Sequence, residues 1–137
     1  MTTAFVLSGG ASEGAVQVGM LRALAEAGVV PDLVIGSSVG AINGAVVAAT
    51  PGPQGVDKLE RIWRGIQRRD VFPVTPLTGF LGFVGRRDHL VRNYALKRLI
   101  RTNAGFSRLE EFPTPLVVIG TDIRTGQEVA MNSGPTV

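Results

Sequence analysis

The distribution of apolar residues along the chain predicts strands that alternate with helices. Apolar runs beginning at Ala4 and at Leu33 have the length and composition of buried strands. A glycine-rich turn and a helix from about Gly14 follow the first run, and the helix-compatible small residues from Ala41 to Ala49 follow the second. Alternating strand and helix units pack as a mainly parallel sheet with helices on both faces. We therefore expect an α/β fold, a three-layer αβα sandwich, with residues 1–137 in a single domain.

The second half of the chain continues this pattern less regularly. It predicts a loop at 51–55, an amphipathic helix at 57–69, a helix at 90–101, a short capped turn at Ser107, a strand at 116–121 and another at 127–131. Trp63 lies on the apolar face of the first of these helices, where it is expected to anchor the core rather than a membrane. The uncharged segment from Val71 to Gly85 is too short to cross a bilayer, and it is interpreted as either a flexible flap over a pocket or a packed loop.

Composition excludes several kinds of site. The chain has no cysteine and one histidine, so a disulfide is impossible and a zinc site is not expected; we expect neither metal nor cofactor. Aromatic residues are few and no nucleic-acid module is recognisable, so nucleic acid is not an expected partner. No cleavable basic leader precedes the first strand, which favours a cytoplasmic location. Positive charge concentrates between Lys58 and Arg101. These residues either attract an anionic membrane surface, giving peripheral contact, or form ordinary helix faces that are exposed to water.

The turn after the second strand carries the strongest chemical signal. Gly36-Ser-Ser-Val-Gly40 is a G-x-S-x-G sequence with Ser38 at its centre, between a strand and a helix. This is the context of a nucleophile elbow, in which a sharp turn lifts one serine above the sheet. Gly36 and Gly40 are expected because a Cβ at either position would collide with neighbouring backbone. The alternative is a tight turn whose serine only caps the helix.

The turn after the first strand has the character of an anion-binding loop. Gly9, Gly10 and Gly14 leave backbone N–H groups unshielded at the start of a helix, where they can hold a phosphate or an oxyanion. The spacing does not fit a dinucleotide-binding G-x-G-x-x-G, and the loop lacks the lysine of a P-loop. An oxyanion loop beside Ser38 fits the residues present.

Together, the two turns resemble those of the patatin-like phospholipase family. The family carries a Gly-Gly-Gly-x-Arg/Lys-Gly loop after its first strand, here residues 9–14, and G-x-S-x-G at the next strand–helix turn, here residues 36–40. Residues 15–24, 120–129 and Ser133-Gly-Pro also resemble the family, so the likeness covers nearly the whole chain. It implies a serine acyl hydrolase that acts on lipid or other acyl esters with a Ser–Asp dyad. Ser38 is then the nucleophile, and Gly9, Gly10 and Ala11 form the oxyanion hole.

Two residues of the loop depart from the family pattern. Ala11 replaces the third glycine, which is tolerable if its φ is negative. Glu13 stands where the family often has a cation, and a carboxylate there would repel an anionic head group. Neutral or weakly charged esters are therefore the favoured substrates.

A catalytic aspartate is not recognisable in this chain. The family's Asp-Gly-Gly/Ala motif lies downstream of Ser-Gly-Pro, and none of the five aspartates here (Asp32, Asp57, Asp70, Asp88 and Asp122) precedes a glycine. His89 completes a Ser–Asp–His order on paper, but it lies in the polar stretch Arg86-Arg-Asp-His, where a surface histidine is the ordinary expectation. A dyad without histidine is preferred. We expect residues 1–137 to be the N-terminal portion of a catalytic domain truncated at its C-terminus, inactive alone, with a sheet edge exposed to self-association. The alternative function is a non-catalytic module that binds lipid or an anion.

Overall fold

A computed structural model of the chain describes residues 2–66 and 94–136. Four strands form its sheet: β1 (Ala4–Leu7), β2 (Leu33–Ser37), β3 (Leu116–Thr121) and β4 (Glu128–Met131). Four α-helices accompany them: α1 (Gly14–Glu26), α2 (Val39–Ala49), α3 (Pro53–Gly65) and α4 (Tyr94–Ala104). Two 3-10 turns, Ala11–Glu13 and Leu109–Glu111, complete the described elements.

The strands lie in the order β1-β2-β3-β4, and only the last is antiparallel to its neighbour. Leu7 at the end of β1 pairs with Gly36 near the end of β2. The turns that leave these two parallel strands therefore emerge side by side at the carboxyl end of the sheet. This is where ligands bind in open α/β sheets.

Helix α2 lies across one face of the sheet and contacts the first three strands. Its small residues Ala45 and Ala48 pack with Val34 of β2 and Leu116 of β3 in one buried cluster. A second buried cluster joins α1, α2 and α3, with Leu21 and Leu59 almost completely inaccessible to solvent. The run of small residues in α2 is thus explained by its position, since small side chains let a helix approach a sheet closely.

The opposite face of the sheet is open in the described part of the chain. Val6 of β1 points to that side and is 71% exposed, whereas its neighbours Phe5 and Leu7 pack against the helical layer. The expected α/β class with a mainly parallel sheet is confirmed. The second layer of helices is absent from residues 2–66 and 94–136 and stays a prediction, as does self-association through a sheet edge.

The predicted loop at 51–55 is wrong, because α3 already begins at Pro53. Proline is favoured in the first turn of a helix, and Gly52, the N-cap before it, has a positive φ of 82°. A Cβ at Gly55 would collide with the carbonyl oxygen of Thr50, so this glycine allows α3 to start directly against the end of α2. The helix predicted to reach residue 69 ends at Gly65, since Ile66 is extended.

Other predictions agree more closely with the structure. Strand β3 has the predicted bounds, β4 begins one residue later than predicted, and α4 overlaps the helix expected at 90–101. The capped turn has Arg108, not Ser107, as its N-cap, and the Glu111 carboxylate accepts the backbone N–H groups of both residues. The segment from Val71 to Gly85, together with Asp70, Asp88 and His89, lies outside the described residues. Among the helices that are described, none has the length and apolar character needed to cross a membrane.

Candidate active site at two strand-to-helix turns

Ser38 alone joins β2 to α2. Its φ of 52° and ψ of −124° put a non-glycine residue in a strained region of backbone space, and such strain often accompanies function. Ser38 occupies the N-cap position of α2, but its side chain makes no capping hydrogen bond. The residue is exposed at the carboxyl end of the sheet. The arrangement therefore does not support the alternative in which this serine only caps the helix.

Two glycines make the Ser38 turn possible. A Cβ on Gly36 would lie 2.5 Å from Cα of Ala41, inside the first turn of α2. A Cβ on Gly40 would collide with the Leu7 carbonyl oxygen and lie 2.5 Å from its carbonyl carbon. Since all these obstacles are backbone atoms, no side-chain rotation can relieve them. The turn is thus fixed by close contact between α2 and the ends of both strands.

The glycine loop (residues 8–13) reaches Ser38 from the end of β1. A Cβ on Gly9 would lie 3.3 Å from Ser38 Cβ and 3.9 Å from Ser38 Oγ, so the loop backbone passes directly beside the serine. The Glu13 N–H donates to the Gly10 carbonyl at 2.9 Å, which closes the 3-10 turn before α1. In the part of the chain that the structure describes, the amides of Gly9 and Gly10 donate no hydrogen bond. They are free to receive an acceptor.

Ala11 does not have the negative φ that would make alanine tolerable in place of the family's third glycine. Its φ is 48°, in the left-handed region, where a Cβ crowds the neighbouring backbone. The condition of a negative φ is therefore not met, and Ala11 adopts a backbone conformation that favours glycine. Ala11 and Ser38 are the non-glycine residues with positive φ in the described chain, and they lie in the two facing turns.

Glu13 lies against the loop. Its Cβ and Oε2 would each be 3.3 Å from a Cβ placed on Gly10. The residue is exposed, and no salt bridge to it is found within residues 2–66 and 94–136. A carboxylate without a salt bridge in the described region therefore borders the glycine loop, which passes beside Ser38.

A buried amide connects the elements behind the two turns, and sequence reasoning did not identify it. Asn43 of α2 is inaccessible to solvent. Its Nδ2 donates to the carbonyl of Gly14 and to Oε1 of Gln17, both at 2.9 Å, while its Oδ1 accepts the indole N–H of Trp63 at 2.9 Å. Gln17 in turn donates to the carbonyl of Ser8 at 2.8 Å. The signal available in the sequence was that Asn43 is the one polar residue of the apolar helix Val39–Ala49.

The described aspartates have partners other than Ser38. Asp32 accepts the backbone N–H of Thr3, and Asp57 forms a salt bridge with Arg22. Asp122 accepts the N–H groups of Arg124 and Thr125, which lower the pKa of its carboxyl group. Within residues 2–66 and 94–136, no side chain is hydrogen-bonded to Ser38 Oγ. A general base for this serine is therefore not found in the described region.

A cleft of about 370 Å³ lies between α1 and α3, away from the serine. Trp63, Arg22 and Glu60 line it, and neither Ser38 nor the glycine loop does. Arg64 and Arg22 hold the pKa of the Glu60 carboxyl below its usual value by hydrogen bonds and charge. Trp63 packs against the buried cluster of α1, α2 and α3, as expected of a core anchor. In the described region, no three potential metal ligands come together.

The fold and these two turns define an α/β protein with an exposed serine facing a glycine-rich loop. A sequence model of the patatin-like phospholipase family matches residues 5–136, and the chain belongs to that family. It is 32% identical over 133 residues, 95% of its length, to a patatin-like phospholipase domain-containing protein of Caenorhabditis elegans, and it covers 9% of that protein.

Shorter stretches match other relatives. Patatin-like phospholipase domain-containing protein 6 of Homo sapiens is 39% identical over 77 residues, which are 56% of this chain and 6% of that protein. A triacylglycerol lipase of Arabidopsis thaliana is 40% identical over 65 residues, which are 47% of this chain and 8% of that protein. The chain thus spans less than a tenth of the length of these curated relatives.

Proposed function

We propose that this chain contributes the nucleophile and the oxyanion hole of a serine acyl hydrolase that acts on lipid or carboxylic esters. The observation that carries the proposal is the uncapped Ser38 in a strained turn, with the free amides of the glycine loop beside it. A serine that served only as a cap would use its hydroxyl on the helix. Family membership and the lipase and phospholipase names of the relatives support the same reaction class.

The proposed chemistry begins when Ser38 Oγ attacks the ester carbonyl and its proton passes to a general base. The tetrahedral oxyanion accepts backbone N–H groups of Gly10 and Ala11, with Gly9 beside them. The positive end of α2 at Ser38 stabilises the same negative charge. The intermediate collapses, the alkoxy group leaves with a proton, and an acyl-serine remains. Water, deprotonated by the same base, then attacks the acyl-serine, so that the acid is released and Ser38 regains its hydroxyl.

The base in this scheme is an aspartate outside residues 1–137. None of the five aspartates of the chain precedes a glycine, as the family's catalytic aspartate does. Those that the structure describes hold backbone amides or Arg22. A serine hydroxyl is a weak nucleophile without a base. Residues 1–137 alone are therefore expected to lack turnover, whereas a longer polypeptide that supplies the aspartate is expected to be active.

The loop chemistry favours neutral esters over anionic ones. The Glu13 carboxylate lies against Gly10, at the mouth of the proposed oxyanion site, where it opposes an anionic head group. Peripheral attachment to a membrane through the basic residues between Lys58 and Arg101 remains part of the proposal. The second candidate function is a non-catalytic module in which the free amides of the loop bind an anion or a lipid; the absence of a base in the described residues favours it.

A fluorophosphonate probe and an ester substrate, used with the full-length protein, test the proposal. Ser38→Ala is expected to remove labelling and to lower hydrolysis at least about 1,000-fold, as loss of a nucleophile does in serine hydrolases. Ser37→Ala is the matched control, because Ser37 belongs to β2 and pairs with Ile119; it should retain labelling. Labelling that persists in Ser38→Ala would refute the assignment. A wild-type protein that binds lipid but neither reacts nor hydrolyses would establish the second candidate.

A further inference from the structure

Among residues 2–66 and 94–136, a side chain of α1, the helix that follows the glycine loop, forms a hydrogen bond with the loop. The Gln17 amide donates to the carbonyl of Ser8, the residue that links β1 to Gly9. A backbone carbonyl fixed at this point sets the plane of the peptide that leads into the loop. The direction of the following N–H groups depends on that plane.

Gln17 is itself oriented from behind. Its Oε1 accepts a hydrogen bond from Nδ2 of Asn43. The Nε2 of Gln17 therefore points the other way, toward the carbonyl of Ser8. Asn43 in turn is held by the indole N–H of Trp63 and by its own donation to Gly14. Each amide therefore has a defined orientation, with no freedom to exchange its oxygen and nitrogen without losing hydrogen bonds.

This chain of contacts connects both turns of the candidate site. Asn43 belongs to α2, the helix that begins directly after Ser38, and Gln17 belongs to α1, the helix that follows the glycine loop. Asn43 is fully buried, where an amide deprived of a partner is costly, so the connection has a single low-energy arrangement.

We propose that Asn43 and Gln17 are positioning residues that fix the glycine loop relative to Ser38, with Trp63 holding the orientation of Asn43. The proposal rests on the proposed function, because it assigns the loop the task of receiving the oxyanion. Misplacing catalytic groups by about 1 Å lowers rates by about 100-fold, and a positioning role predicts a loss of that kind. The loss should fall on kcat, since the contacts lie behind the loop and do not line a substrate pocket.

Two variants of Gln17 in the full-length protein test this role. Gln17→Met keeps the length of the side chain and removes both hydrogen bonds. Gln17→Glu keeps an acceptor for Asn43 and removes only the donor to Ser8. If the contact with Ser8 positions the loop, both variants should lose kcat by about 10-fold to 100-fold with little change in KM. If Gln17 merely satisfies the buried Asn43, Gln17→Glu should keep wild-type kcat, and the proposal fails.

Hydrogen exchange supplies a readout that does not depend on turnover. The Glu13 N–H donates to Gly10, so its exchange rate reports whether the glycine loop keeps its closed turn. In Gln17→Met we expect this amide to exchange at least about tenfold faster, while the amides of β2 keep their wild-type rates. Unchanged protection at Glu13 would overturn the proposal even if activity fell.

Val56→Ala is the control for loss of stability. Val56 is buried in the cluster of α1, α2 and α3 and takes no part in the hydrogen-bond chain. It should lower Tm yet keep kcat and Glu13 protection. The same loss of kcat and protection in Val56→Ala would show that general destabilisation is responsible. A wild-type protein without ester hydrolysis would refute the proposed function, whereas the exchange experiment would still decide whether Gln17 holds the loop.

Discussion

The turn after β1 and the turn after β2 each contain one non-glycine residue with positive φ, Ala11 at 48° and Ser38 at 52°. The Ser38 turn is confined by backbone atoms, since Gly36 lies against α2 and Gly40 against the end of β1. The Ala11 turn lies at the surface, where its residues are exposed, and it is held by the Glu13 amide within the loop and the Gln17 side chain behind it.

The difference shows two ways of maintaining an unfavourable backbone conformation. Steric confinement leaves the backbone no alternative path, so a serine stays in a strained conformation. It requires glycines at positions 36 and 40, where a Cβ would collide with backbone atoms. Hydrogen bonding holds an exposed loop in place while its own amides remain available to a ligand. Under the proposed function, the first suits a nucleophile that must not move, and the second suits donors that must stay unoccupied until a substrate arrives.

The largest expected effect is at Gly40. Gly40→Ala would drive a Cβ into the Leu7 carbonyl group, and we expect a loss of more than about 3 kcal/mol in the free energy of unfolding, at the upper end of the range for overpacking. Gly19→Ala is the control, because no atom lies within 4 Å of a Cβ at that position in α1; it should raise stability by about 0.5–1 kcal/mol. Urea denaturation measures both. Equal stability of the two variants would contradict steric confinement of the Ser38 turn.

An intermediate effect is expected when the charge beside the loop is reversed. Glu13→Arg should shift preference toward anionic phospholipid relative to neutral ester, because the residue lies against Gly10. The shift should shrink with added salt, since exposed charges are screened over about 10 Å at 0.1 M ionic strength. Glu26→Arg makes the same change at the far end of α1, about 20 Å away at 1.5 Å per residue, and should leave the preference unchanged. A substrate ratio that stays constant in Glu13→Arg would remove Glu13 from selectivity.

The smallest effect is expected at Ala11. Ala11→Gly relieves the strain of the left-handed conformation, about 1–2 kcal/mol, but raises the conformational entropy of the unfolded chain. We therefore expect a net gain of about 0.5–1 kcal/mol in the free energy of unfolding. Ala27→Gly provides the comparison, since φ of Ala27 is −77° and glycine relieves nothing there. Thermal unfolding of the two variants should therefore change in opposite directions. A destabilised Ala11→Gly would mean that the methyl group packs favourably in the loop.

Local sequence was sufficient to predict the four described strands and both turns of the candidate site. Gly36 and Gly40 mark places where backbone approaches backbone, and Gly9 and Gly10 mark an exposed loop without side chains of its own; neither signal needs knowledge of distant residues. The connection after α2 was harder, because residues 51–55 read as a loop, whereas α2 ends at Ala49 and α3 already begins at Pro53. Proline and glycine are common both in loops and at the start of a helix, and it is the close contact of Gly55 with Thr50 that lets α3 start so soon after α2.

The sequence by itself determined the alternation of strands and helices, the serine turn and the glycine loop, because each follows from local sterics and periodicity. Tertiary structure decided three further features: the positive φ of Ala11, the open face of the sheet in the described region, and the contacts of Asn43 with Trp63 and Gln17. These depend on residues that meet only after folding; Asn43 and Gln17 are 26 positions apart. Hydrogen bonds of that kind have no periodic signal, since their geometry is set by how three helices pack.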